Sequence, residues 1–115
     1  MISFSDISKF FSIDLKDKSC IEIGFMLKGH PKYHSCWMGK TPNKTENGKD
    51  IYWFGLVADG SEAYEYDNFY DFSTALIFDN KSLKQVWNNI EIFSINGCEP
   101  ENYLSSYSRC FYEQK

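Results

Sequence analysis

The sequence predicts an α+β fold, a single domain over residues 1–115 in which a mostly antiparallel, meander-like sheet of about five strands packs against three or four short helices. Three observations carry this. Stretches of period-two alternation recur between turn signals, shorter stretches show apolar residues at helical spacing, and no linker or repeat divides the chain. At 115 residues there is room for one core. With 43% hydrophobic and 18% aromatic residues that core is built from few, large side chains, which excludes a disordered chain.

The elements follow in order. Ser3 or Ser5 caps a first helix in which Phe4, Ile7, Phe10 and Phe11 share a face, ending near Ser12. Residues 20 to 28 alternate, with Ile21, Ile23, Phe25 and Leu27 on one side, as in a half-buried strand. The turn Gly29-His30-Pro31-Lys32 leads into a second strand over residues 33 to 38, closing a hairpin. After a polar loop at residues 41 to 49, residues 50 to 57 form a near-continuous run of strand formers, expected as a central strand covered on both faces. A turn at residues 58 to 61 and a charged edge strand at 62 to 66 complete the meander.

Asp67 is placed to cap a short helix with Phe69, Phe72, Ser73 and Leu76 on one face. Ser82 caps the next, whose stripe is Leu83, Val86, Trp87 and Ile90. Residues 91 to 95 read as a fifth strand, with Ile92 opposed to Phe93 and Ile95, and Asn96-Gly97 turns the chain. Pro100 opens a last helix with Tyr103, Leu104, Tyr107 and Phe111 inward.

No charged n-region precedes an apolar segment, and the longest apolar run, residues 52 to 58, falls far short of the ~20 residues of a spanning helix. The expected location is cytoplasmic, with no membrane partner. In that compartment Cys20, Cys36, Cys98 and Cys110 read as reduced structural thiols.

Charge is lopsided. Residues 1 to 49 carry eight lysines against five carboxylates, and the remainder four basic against eleven acidic residues, for a total of −4. Lys28, His30, Lys32, His34, Lys40, Lys44 and Lys49, with Tyr33 and Trp37, resemble a platform for anions or single-stranded nucleic acid in composition. A single arginine, Arg109, and an acidic total argue against nucleic acid as the partner.

His30, His34 and Cys36 are donor types that zinc takes, but a fourth ligand would have to come from Cys98, Cys110 or a distant carboxylate, and the spacing fits no standard zinc module. The chain is therefore read as having no cofactor, with zinc at these three residues as the alternative. His34 and Cys36 also define the alternative of a small metal- or thiol-dependent enzyme. The glycines form no phosphate loop or dinucleotide fingerprint and read as turn and bulge residues.

The acidic run is more informative. Asp59, Glu62, Glu65, Asp67 and Asp71 fall within thirteen residues that hold no lysine or arginine, interleaved with Tyr64, Tyr66 and Tyr70. Carboxylates beside amphipathic rings make a surface for a basic protein. The function expected is thus a non-enzymatic interaction module, for example an immunity-type inhibitor of a basic toxin enzyme. A structural subunit that pairs with itself as a homodimer is the third alternative.

Overall fold

In the computed structural model, which describes residues 2–12, 20–42 and 50–99, helix α1 (Phe4–Phe11) begins at Ser3. The Asp6 amide donates to the Ser3 hydroxyl at 3.0 Å and the Ser3 amide to the Asp6 carboxylate at 3.3 Å, a reciprocal cap. Ile7, Phe10 and Phe11 face inward, as their spacing predicts.

The sheet holds five antiparallel strands, β1 (Ile21–Leu27), β2 (Cys36–Thr41), β3 (Ile51–Gly55), β4 (Ala63–Tyr66) and β5 (Ile90–Ile95), in the order β4-β3-β2-β1-β5. The first four form the expected meander. The fifth returns to the far side of β1, with Asn96 fixing its end: the Glu22 amide donates to the Asn96 side-chain oxygen at 2.7 Å, and the Asn96 amide to the Glu22 carbonyl at 2.8 Å.

Helices α2 (Phe69–Thr74) and α3 (Leu83–Val86) join α1 on one face of the sheet. Between them and the strands lies an aromatic core. Phe72 stacks on Phe54 with centroids 4.1 Å apart, and Phe11 and Phe78 close around that pair. The Trp87 indole N–H reaches the Ile2 carbonyl at 3.1 Å and ties the N-terminus to the end of α3.

Lys40 also points into this layer, 3% exposed. Its ammonium donates to the Phe11 carbonyl at 2.7 Å, pairs with Asp50 at 3.4 Å and lies over the Tyr52 ring. A cation at the C-terminal end of α1 satisfies a carbonyl that the helix leaves over and complements its dipole.

Several expectations are corrected. Residues Pro31–Tyr33 form a 3-10 turn, and β2 starts at Cys36. Proline presets the turn backbone, and Tyr33 is drawn into the core against Phe78 at 5.7 Å. Strand β3 lies next to the sheet edge and is half-buried except at Phe54, so it is not covered on both faces.

Asn68, not Asp67, caps α2, accepting from the Asp71 amide at 2.8 Å, and Leu76 lies beyond that helix, exposed. Helix α3 gives way to a 3-10 turn at Trp87–Asn89, so Ile90 opens β5 instead of closing a helix. A register shift between Gly24 and Phe25 lets Ile92 and Ile95 both face the core while Phe93 turns outward. The helix expected from Pro100 lies outside the described residues.

Candidate functional site

Because β4 is an outer strand of the sheet, it carries its residues to a boundary where no described strand pairs with its far side. Tyr64 and Tyr66 lean toward the core, half-buried, while Glu65 projects to the opposite face beside Trp53. At the end of β4 the chain passes through Asp67 and Asn68 into α2. The Asn68 amide donates to Asp67 at 2.7 Å and to Asp71 at 2.9 Å, so one neutral side chain holds two carboxylates together.

The result is a shallow, open pocket of about 430 Å³ lined by Ile51, Glu65, Tyr66, Asp67 and Asp71. Tyr70, on the first turn of α2 and next in the chain to Asp71, is 67% exposed. Burial holds the Tyr66 hydroxyl above the ordinary tyrosine range, so it is a neutral hydrogen-bonding group at the pocket wall. Three acids, an isoleucine and a tyrosine around one depression can receive a positively charged side chain with an aliphatic stem.

The remaining residues of the acidic run are placed elsewhere. Glu62 is committed within the fold: its carboxylate pairs with Lys32 at 2.6 Å and accepts from the Tyr33 hydroxyl at 3.4 Å, with a side chain only 19% exposed. Asp59 accepts from the Ser61 amide at 2.9 Å in the turn before β4. The Ser61 side chain, and after it the Ser61 amide, hold its carboxyl below the usual range.

The fold does not gather His30, His34 and Cys36. His34 is exposed with Nδ1 at 2.7 Å from the Pro31 carbonyl, and His30 packs beside Tyr33 in the turn. Cys36 is 1% exposed and its thiol donates to the Leu56 carbonyl at 3.3 Å. Among the described residues no group of three or more His, Cys, Asp or Glu side chains is arranged to hold a metal ion.

Burial pushes the Cys36 thiol up to about 11. At pH 8 roughly one Cys36 in a thousand is then thiolate, and none of it meets solvent. Alkylation of the folded protein at pH 8 is expected to label the exposed Cys20 and Cys98 while Cys36 reacts only after unfolding, as read by mass spectrometry of peptides. Equal labelling of Cys36 in the folded state would contradict its placement.

The basic platform is likewise dispersed. Lys40 is buried, Lys32 is paired with Glu62, and Lys44 and Lys49 lie outside the described residues.

No family model, curated protein or solved structure matches this chain. The functional reading therefore rests on its own residues. Among the described residues no helix is long and apolar enough to cross a membrane.

Sequence reasoning missed Ile51 and Trp53 as neighbours of the acidic run, because strand β3 was expected to be covered on both faces. The signal was present in the glycines. Gly24 and Gly39 each sit inside a strand, where glycine marks a close approach of something to the backbone, here the rings of Trp37 and Trp53.

Proposed function

We propose that this protein is a non-enzymatic interaction module that binds a basic protein through the acidic and aromatic surface at the β4 edge. The observation that carries the reading is the convergence of Glu65, Asp67 and Asp71 with Ile51 and Tyr66 on one open pocket, with the exposed Tyr70 next in the chain to Asp71. No lysine partner among the described residues neutralises these three carboxylates. An exposed cluster of one sign accelerates encounter with an oppositely charged protein, by about 10 to 1000-fold at low salt.

Tyrosine adds contact area at low entropic cost, and the outer side of β4 offers backbone groups to an added strand. An inhibitor of the immunity type, which covers a basic toxin enzyme, is one concrete form of such a module.

Affinity capture from a lysate at low salt tests the reading. The tagged protein is expected to retain a stoichiometric protein of positive net charge that is lost with the double variant Glu65→Lys, Asp67→Lys. Equal retention by that variant, at unchanged melting temperature, would reject the acidic edge as the binding surface. Glu62 is left untouched because its reversal would break the pair with Lys32 and disturb the fold.

A further inference from the structure

The helices cover one face of the sheet, and the other face carries a pattern of its own. Following the strand pairing across it, Glu65 on β4 stands beside Trp53 on β3, Trp53 beside Gly39 on β2, and Gly39 beside Glu22 on β1. The Trp53 ring lies over Gly39, with two ring carbons 2.5 and 2.8 Å from where a Cβ would sit, and its N–H donates to the Thr41 hydroxyl at 3.0 Å. One indole is therefore laid flat and locked, with a carboxylate beyond each end. Along the strands by two residues, Trp37 covers Gly24 in the same way and is 47% exposed.

We infer that this face is the continuation of the acidic edge, and that it takes an extended basic segment whose arginine stacks on Trp53 between Glu22 and Glu65. The inference rests on the proposed binding of a basic protein and names which of its side chains is read. Charge decides the occupant. The described residues of the face include Glu22, Glu65 and Glu91 and no lysine, arginine or histidine, and none of these carboxylates has an ion-pair partner among the described residues.

A second copy of the chain would bring carboxylates against carboxylates, and a neutral apolar segment would bury them unpaired. A cation satisfies them. Arginine suits the geometry better than lysine because its planar guanidinium can lie on an indole while its N–H groups reach sideways to carboxylates. Glu65 lines both the pocket and this row, so one segment can engage both. The rows of Trp53 and Trp37 are about 7 Å apart along the strands, the spacing of alternate side chains in an extended peptide.

The test uses two nine-residue peptides, one with arginine at alternate positions and one with citrulline in their place, titrated while indole N–H resonances and tryptophan fluorescence are followed. The arginine peptide is expected to shift the Trp53 signal and the citrulline peptide to leave it unmoved. Trp53→Leu should weaken binding about tenfold and Glu22→Gln about threefold, within the range of a partly desolvated cation–π contact and a single exposed ion pair. Glu22→Gln changes an exposed side chain, so it remains informative if the tryptophan variant unfolds.

No shift with the arginine peptide, or wild-type affinity in Glu22→Gln together with equal binding of citrulline, overturns the inference. Capture of the basic protein that fails in Glu65→Lys, Asp67→Lys yet persists in both Glu22→Gln and Trp53→Leu would remove the tryptophan platform and leave the acidic edge standing.

Discussion

Phe72→Ala is expected to remove about 3–5 kcal/mol of folding stability, the usual cost of truncating a buried phenylalanine. Phe72 is fully buried and lies at the centre of the aromatic core, stacked on Phe54 and within 5.2 to 6.4 Å, centroid to centroid, of Phe11, Tyr52, Phe69 and Tyr66. Alanine leaves a cavity that rigid rings cannot collapse to fill. Against a total of about 5–15 kcal/mol this is a large fraction, visible as a shifted urea midpoint at unchanged slope.

The loss should reach the site as well. Phe72 anchors α2, which carries Tyr70 and Asp71, so binding of the proposed basic partner should weaken even where the variant remains folded. Phe72→Leu, which keeps most of the volume, should cost less than about 1.5 kcal/mol. A loss under 1 kcal/mol for the alanine variant would show that the ring cluster does not hold the helices to the sheet.

The second large effect is expected at Gly39. A Cβ there would meet the Ile21 carbonyl oxygen of the neighbouring strand as well as the Trp53 ring. Backbone cannot yield as a flexible side chain can, so Gly39→Ala must spread β1 from β2 and displace the indole, at a cost of about 1–3 kcal/mol or more. Gly55→Ala is the control, since nothing lies within 4 Å of its added carbon, and it should stay within about 0.5 kcal/mol of wild type. Thermal melts of the two variants side by side give the comparison. Equal stability would mean that the tryptophan is not seated on the glycine.

The elements that local chemistry specifies were legible in the sequence. Ser3 and Ser82 each accept from the backbone three residues on and form reciprocal caps, and the alternation from Ile21 to Leu27 puts its apolar residues inward. The meander of β1 to β4 follows from turns whose glycines, Gly29 and Gly60, take positive φ.

What was not legible depends on packing between distant residues. Tyr33 leaves the strand pattern because Phe78 and Glu62, 45 and 29 positions away, receive its ring and hydroxyl. Ile92 and Ile95 share a face only because β5 bulges against β1, and nothing in their spacing signals it. At the site, the run from Asp59 to Asp71 was visible as composition, but which acids are free was not. Glu62 is spent on Lys32, whereas Glu65, Asp67 and Asp71 are brought together by a strand end, a capping asparagine and a helix start. Trp53 entered only through its cross-strand neighbours Gly39 and Glu65.

The central claim, that the β4 edge binds a basic protein by charge, is tested most directly by association rate constants. The captured partner is to be measured against wild type and the variant Glu65→Lys, Asp67→Lys from about 10 to 500 mM salt, a span over which the screening length falls several-fold. The expected result is a wild-type rate that falls steeply with salt and exceeds that of the variant at least tenfold at the lowest salt, the two converging at the highest. A wild-type rate indifferent to salt, or a variant that associates as fast as wild type at 10 mM, would contradict the account.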